Sequence, residues 1–219
     1  VHNKYCDPWT SECKQANYLY LTSDSKSQEI EFLRKQVRGE GGNPNSNGEH
    51  INVILGTDVV ERGISFLNIR DIHILEPWFN FSKINQIVGR GFRNKSHFQL
   101  EEKKRNICIF LHSVSFSNLN EEILYNRIKV KEIESPDEYT YRIALNKEYK
   151  ISKLIENLRD NSVDCGFNKD LNTYLGDPEQ QQHIINSKGD EVVIPMYDID
   201  FSDRCLFSRC EYKCDNIRE

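Results

Sequence analysis

Two short stretches combine residue types that handle phosphate. Residues 86–93 read QIVGRGFR. On a helix turning about 100° per residue, Arg90 falls about 40° from Gln86 and Arg93 about 20° on its other side, so one face carries all three. That face is polar and basic. Gly89 and Gly91 each weaken a helix by about 1 kcal/mol relative to Ala, a cost that makes sense where something approaches the backbone closely. Taken alone, the stretch also reads as a solvated basic face. Residues 54–65 read ILGTDVVERGIS. An apolar strand there ends in Gly56, Thr57 and Asp58, followed by Glu61, Arg62 and Gly63, and parallel sheets bind ligands beyond the carboxyl ends of their strands. Helix capping by Thr57 or Asp58, worth about 0.5 to 2 kcal/mol, is the alternative.

The tail raises a separate chemistry. Cys205, Cys210 and Cys214 are spaced CxxxxCxxxC and could place three thiolates on one Zn2+, with Cys165 or His183 as fourth ligand. Free thiols packed under a loop are the alternative. The chain has seven cysteines and no secretory signal in the sequence given, so reduced thiols are the expectation. Cys108 falls in a core strand as a small hydrophobe, and Cys6 and Cys13 flank Trp9 without a readable role. His97 reads as a structural cap.

These residues need elements to hold them. From Asn17 onward, short apolar runs alternate with helix-like segments, the pattern of βα units around a parallel sheet. Strands are expected at 18–22, 51–55, 69–75 and 106–111. The run Ile51–Leu55 is apolar enough for a strand covered on both faces. Helices are expected over about 26–38, capped by Ser23 or Ser25, over about 82–94, and near 118–130. Gly39–Gly48 (GEGGNPNSNG) reads as a mobile loop. Glu134–Asp137 is a turn into a charged helix over about 138–160, with Ile143, Ile151, Leu154, Ile155 and Leu158 as its apolar stripe. After Gly176 the sequence is acidic and irregular. The fold class is therefore α/β, with segments 1–16, 17–133, 134–175 and 176–219.

Composition narrows the classes. At 219 residues, 37% hydrophobic and 29% charged, the chain can bury a core, and no apolar run approaches the roughly 20 residues of a membrane span. Residues 176–219 carry ten acidic and five basic residues, which accounts for the whole net charge of −5. Residues 82–105 carry seven Lys or Arg against two Glu, so a basic patch is local.

Together the two stretches resemble motifs V and VI of superfamily 2 helicases and translocases. Motif VI, QxxGRxxR, is matched by Gln86, Gly89, Arg90 and Arg93, and motif V by Thr57, Asp58, Arg62 and Gly63. The likeness is greatest to chromatin-remodeller-type ATPases and to ATPases of large cytoplasmic DNA viruses, the poxvirus nucleoside triphosphate phosphohydrolase I and helicase-like early transcription factor kind. It covers residues 17–166, including Trp78 before motif VI and Ser96-His97 after it. The resemblance implies a RecA-like parallel sheet flanked by helices, the second lobe of a two-lobed motor, followed by a helical extension and a small Cys-containing tail. Arg93 would be the arginine finger, with Arg90 beside it and Gln86 completing the motif. Gly56 and Asp58 would lie at the nucleotide, and Thr57, Ser23 and Arg62 at a DNA or RNA backbone.

The sequence departs from a complete motor of that family. No GxxxxGK[ST] loop is present, and Asp137-Glu138 follows Ser135-Pro136 and no apolar strand, so ATP and Mg2+ are expected on an N-terminal RecA-like lobe supplied elsewhere. This chain alone is not expected to turn over ATP. An RNA polymerase or transcription factor subunit is a candidate partner, a membrane is not, and a cytoplasmic viral factory or virion is the implied location. A non-catalytic RecA-like interaction module in a transcription complex is the alternative function.

Overall fold

The computed structural model describes residues 4–6, 13–15, 17–22, 31, 35, 45–57, 66–116 and 134–214. The helices expected near 26–38 and 118–130, with Ser23, Ser25 and loop residues 39–44, lie outside these residues, apart from helical Glu31 and Lys35. The chain divides into two units, Val1–Ile72 with Asn85–Ile109, and His73–Ile84 with Phe110–Glu219.

In the first unit, β1 (Lys4–Cys6) and β2 (Cys13–Gln15) pair antiparallel. The apolar runs 18–21 and 53–56 form β3 (Tyr18–Leu21) and β4 (Val53–Gly56), paired in parallel with Leu21 opposite Gly56. Alternation decides which side chains face inward. Leu21 is fully buried and packs with Phe66, and Leu19, Ile54, Leu67 and Ile69 surround them. Val53 and Leu55 point the other way and are each 45% exposed, so among the described residues β4 is covered on one face, where its composition suggested both. Asn45 Oδ1 accepts from the backbone N–H of His50 and Ile51, and its amide donates to the Ile51 carbonyl.

Strands β5 (Asp71–Ile74) and β6 (Cys108–Leu111) form a further pair. Cys108 N–H donates to Arg70 O at 2.8 Å and His112 N–H to Ile74 O at 2.9 Å, an advance of four residues on each strand in the same sense, which is the parallel pattern. Helix α1 (Phe81–Gly91) lies between them in sequence. It stops three residues short of the expected end.

In the second unit, α2 (Pro136–Asp160) starts within ESPD, where the sequence suggests a turn. Ser135 is its N-cap, Pro136 occupies the first helical position where a missing N–H costs nothing, and Glu138 closes a capping box with Ser135. Arg142 and Glu134 form a two-pronged ion pair at 2.8 Å for both bonds. The expected stripe is not what α2 buries. Ala144 and Ser152 are its buried residues, whereas Leu154 and Leu158 are 60% and 63% exposed. Small side chains let the tail approach this stretch of helix, where Lys153 Nζ donates to Ser208 Oγ at 2.7 Å and Tyr149 lies beside Phe207.

Short helices α3 (Val163–Phe167) and α4 (Lys169–Asn172) follow. The tail is not irregular. Residues 181–195 form an antiparallel hairpin of β7 (Gln181–Ile185) and β8 (Glu191–Pro195). Its turn is set by Asn186, whose Oδ1 accepts from the N–H of Lys188 and Asp190, and by Gly189 at φ 90°, the left-handed region that glycine enters without penalty.

The tail cysteines are paired and not thiolate. Cys205 is bonded to Cys210 and Cys165 to Cys214. This corrects the expectation of reduced thiols and the zinc assignment to Cys205, Cys210 and Cys214, because a sulfur in a disulfide has no thiolate charge to give a metal. Among the described residues, no group of three or more His, Cys, Asp or Glu converges to hold a metal ion. Cys108 is a free thiol in β6, as read.

Candidate functional site

Gly56 and Thr57 sit at the carboxyl end of β4, both exposed, with Thr57 N–H donating to Leu21 O at 3.1 Å across the strand pair. That is the edge at which parallel sheets offer groups to a ligand. Ser23, Asp58 and Arg62 lie outside the described residues, as do Glu61 and Gly63.

The carboxyl end of α1 is tied to this edge through a series of bonds and packed side chains. Phe66 packs on Leu21 in the core, and its backbone N–H donates to Arg90 O at 3.0 Å. Asn68 N–H donates to Ser96 O at 2.9 Å, and His97 Nε2 meets Ile69 O at 2.6 Å. Three rungs therefore fasten residues 90–97 to residues 66–69. Asn68 enters the left-handed region at φ 61°, which its short polar side chain tolerates better than most.

Gln86 and Arg90 are on α1 as expected, Gln86 exposed and Arg90 half-buried. Arg93 is not on the helix. It lies in the turn after Gly91, exposed, and its Nε donates back to Gly89 O at 2.9 Å, occupying one of the carbonyls that a helix terminus leaves without an intrahelical donor. The side chain thus returns to the end of α1 by a hydrogen bond and not by helical periodicity.

The two glycines of this stretch differ in their surroundings. A Cβ on Gly91 would meet Ile72 Cδ1 at 3.2 Å and Ile69 Cβ at 3.3 Å, so Gly91 lets the helix end lie close against residues 69–72. A Cβ on Gly89 would meet nothing within 4 Å. Gly91 is explained by packing, whereas no described atom crowds a Cβ at Gly89.

The backbone of Arg93 is held by Ser96, a contact that no periodicity in the sequence marks. Its N–H donates to Ser96 Oγ at 3.2 Å, Ser96 N–H returns a bond to Arg93 O at 2.9 Å, and Ser96 Oγ lies 2.9 Å from His97 Nδ1. The only signal was a Ser-His pair directly after the basic stretch. The cap reading of His97 is consistent with its burial at 7% exposure and its bond to a backbone carbonyl.

Residues 4–95 match the helicase conserved C-terminal domain family. Over 206 residues, 92% of the chain, it is 32% identical to a protein of Invertebrate iridescent virus 3 assigned as a helicase, 087L, and covers 17% of that protein. It is 28% identical over 78% of its length to a mimivirus protein assigned as an ATP-dependent RNA helicase, L377, covering 13% of it. It is 29% identical over 69% of its length to nucleoside triphosphatase I of Choristoneura biennis entomopoxvirus, covering 21% of it. The chain thus spans about a fifth or less of the length of these relatives. Gln86, Arg90 and Arg93 fall inside the matched span, so residues 4–95 carry the helicase C-terminal domain match and the chain is similar to viral helicases and a viral nucleoside triphosphatase.

Proposed function

We propose that this chain is the second motor lobe of a nucleic-acid-dependent ATPase of superfamily 2, divided as segments 17–133 for the lobe, 134–175 for a helical extension and 176–219 for the tail. An N-terminal RecA-like lobe bearing a P-loop holds ATP and its Mg2+. Arg93 reaches the γ-phosphate of that ATP from this lobe, with Arg90 beside it and Gln86 on the same helix. Gly56 and Asp58 lie toward the nucleotide, and Thr57, Ser23 and Arg62 grip the backbone of DNA or RNA.

The chemistry asked of Arg93 is charge stabilisation. As the γ-phosphoryl group leaves the β-phosphate, negative charge spreads over its oxygens, and a fixed guanidinium there lowers the barrier, an effect worth about 10³ to 10⁵ in rate. The residues in hand fit an anionic guest. Arg93 is exposed at the helix end, and the adjacent Gly89 backbone is open to approach. Contacts at Thr57 would grip phosphate and not bases, which suits a protein that moves along a strand without regard to sequence. The kinship with viral helicases supports work in viral transcription or DNA remodelling, beside an RNA polymerase or transcription factor subunit, in a cytoplasmic viral factory or virion.

The observation that carries the reading is the presentation of Arg93, backbone locked and side chain turned to the surface beside Gly89. The test is hydrolysis of ATP by this chain together with the P-loop lobe, with and without DNA or RNA, comparing wild type with Arg93→Ala. Turnover is expected to rise with nucleic acid and to fall at least about a hundredfold in the variant while ATP still binds. Wild-type turnover by Arg93→Ala would remove the finger and leave a RecA-like interaction module in a transcription complex.

A further inference from the structure

We propose that Ser96 and His97 are positioning residues that set Arg93 in place, a role that rests on Arg93 acting as the finger. The geometry gives the pair a defined direction. Ile69 O can only accept, so the 2.6 Å contact with His97 requires the proton on Nε2. In the neutral ring Nδ1 is then an acceptor. The Ser96 hydroxyl, 2.9 Å away, donates to it and turns its lone pairs toward the Arg93 N–H, which donates to Ser96 Oγ at 3.2 Å. Ser96 N–H closes the loop on Arg93 O at 2.9 Å. Both backbone groups of Arg93 are thereby held by one residue, and that residue is held by His97 and by Asn68 N–H on its carbonyl.

Burial makes this a clamp and not a surface turn. Ser96 is 3% exposed and His97 7%, while Arg93 is exposed. Arg93 has left α1, so helical hydrogen bonding no longer fixes its backbone, and Lys95 between it and Ser96 takes the left-handed conformation at φ 62°, a cost the two bonds between Arg93 and Ser96 offset. The anchor is Ile69, two residues before β5 begins and in the segment bonded to the end of α1. Movement of that strand would be passed to the guanidinium. A misplacement of about 1 Å at such a group can cost about a hundredfold in rate, which is the scale on which the clamp would act.

A double-mutant cycle on the same ATPase separates positioning from general support of the fold. Ser96→Ala is expected to lower kcat roughly 10- to 100-fold with KM for ATP within about twofold of wild type. In the Arg93→Ala background the same substitution is expected to change kcat by less than about twofold, because the residue acts only through Arg93. His97→Gln, which keeps an N–H for Ile69 O but offers Ser96 no acceptor at the Nδ1 position, is expected to show the same dependence on Arg93, and carries the cycle if Ser96→Ala fails to fold. Wild-type kcat in Ser96→Ala, or an equal loss with and without Arg93, overturns the clamp while leaving the finger intact. Wild-type turnover in Arg93→Ala alone overturns the finger, and the clamp with it.

Discussion

At the scale of single residues, motif VI was legible as a set of side chains and not as a geometry. The types and spacing of Gln86, Gly89, Arg90 and Arg93 carried the resemblance to motif VI, while by themselves they read equally as a solvated basic face. The assumption that one helix carries them all failed at Gly91, where α1 ends and Arg93 passes to a turn held by Ser96. Hydrogen bonds between residues three apart outside a helix leave no periodic trace, which is why the sequence did not show them. The glycines provide a test of opposite signs. Gly91→Ala forces a Cβ to 3.3 Å from the stem of Ile69 and is expected to destabilise the protein by about 1 to 3 kcal/mol. Gly89→Ala meets no neighbour and is expected to stabilise it by up to about 1 kcal/mol through helix propensity. Thermal unfolding of the two variants checks the contrast, and equal shifts would contradict the packing explanation of Gly91.

Among elements, α2 was the most legible, since Ser135-Pro136 and Glu138 mark a helix start without any knowledge of the fold. Its buried face was not. The stripe from Ile151 to Leu158 should face inward by hydrophobicity alone, yet Ala144 and Ser152 do. Which face packs depends on what docks there, and the tail approaches beside Lys153, where Ser208 accepts its bond. The hairpin β7–β8 was missed although VVIP and QHII flank a Gly-containing turn, because the acidic composition around it suggested no structure. Ser135→Ala removes the cap and is expected to cost about 0.5 to 2 kcal/mol. The start of α2 should also depend on pH. The Ser135 backbone N–H holds Glu138 below the ordinary value of 4.5, and the Arg142 hydrogen bond does the same for Glu134. With the folded values depressed, their contribution is fully present above that ordinary value and is lost as pH falls through the folded values. Helical circular dichroism followed below pH 4.5 should decline sooner for wild type than for Glu138→Gln, which lacks that titration; parallel curves would exclude the effect.

At the level of the whole molecule, α/β class and parallel pairing followed from the alternation of apolar runs and helical segments. The covalent links in the tail did not, because cysteine spacing constrains neither pairing nor oxidation state. Cys165 and Cys214 enclose a sequence separation of 49, whereas Cys205 and Cys210 are separated by 5. Loop-closure entropy gives the long link about 4 kcal/mol and the short one about 2. Cys165→Ser with Cys214→Ser should therefore lower stability more than Cys205→Ser with Cys210→Ser, measured by denaturant unfolding of the second unit under oxidising conditions. A reducing agent should erase the difference between wild type and both variants. If reduction leaves wild type unchanged, the links contribute nothing to its stability.

The long link also changes what a protease can accomplish. The hairpin turn at Lys188 is exposed and lies between Cys165 and Cys214 in the chain. Trypsin cutting once after Lys188 would sever the backbone without separating the products. The nicked chain would migrate as one band on a gel and come apart into two only after thiol treatment, with the carboxyl-terminal fragment still fastened until then to the segment that follows α2.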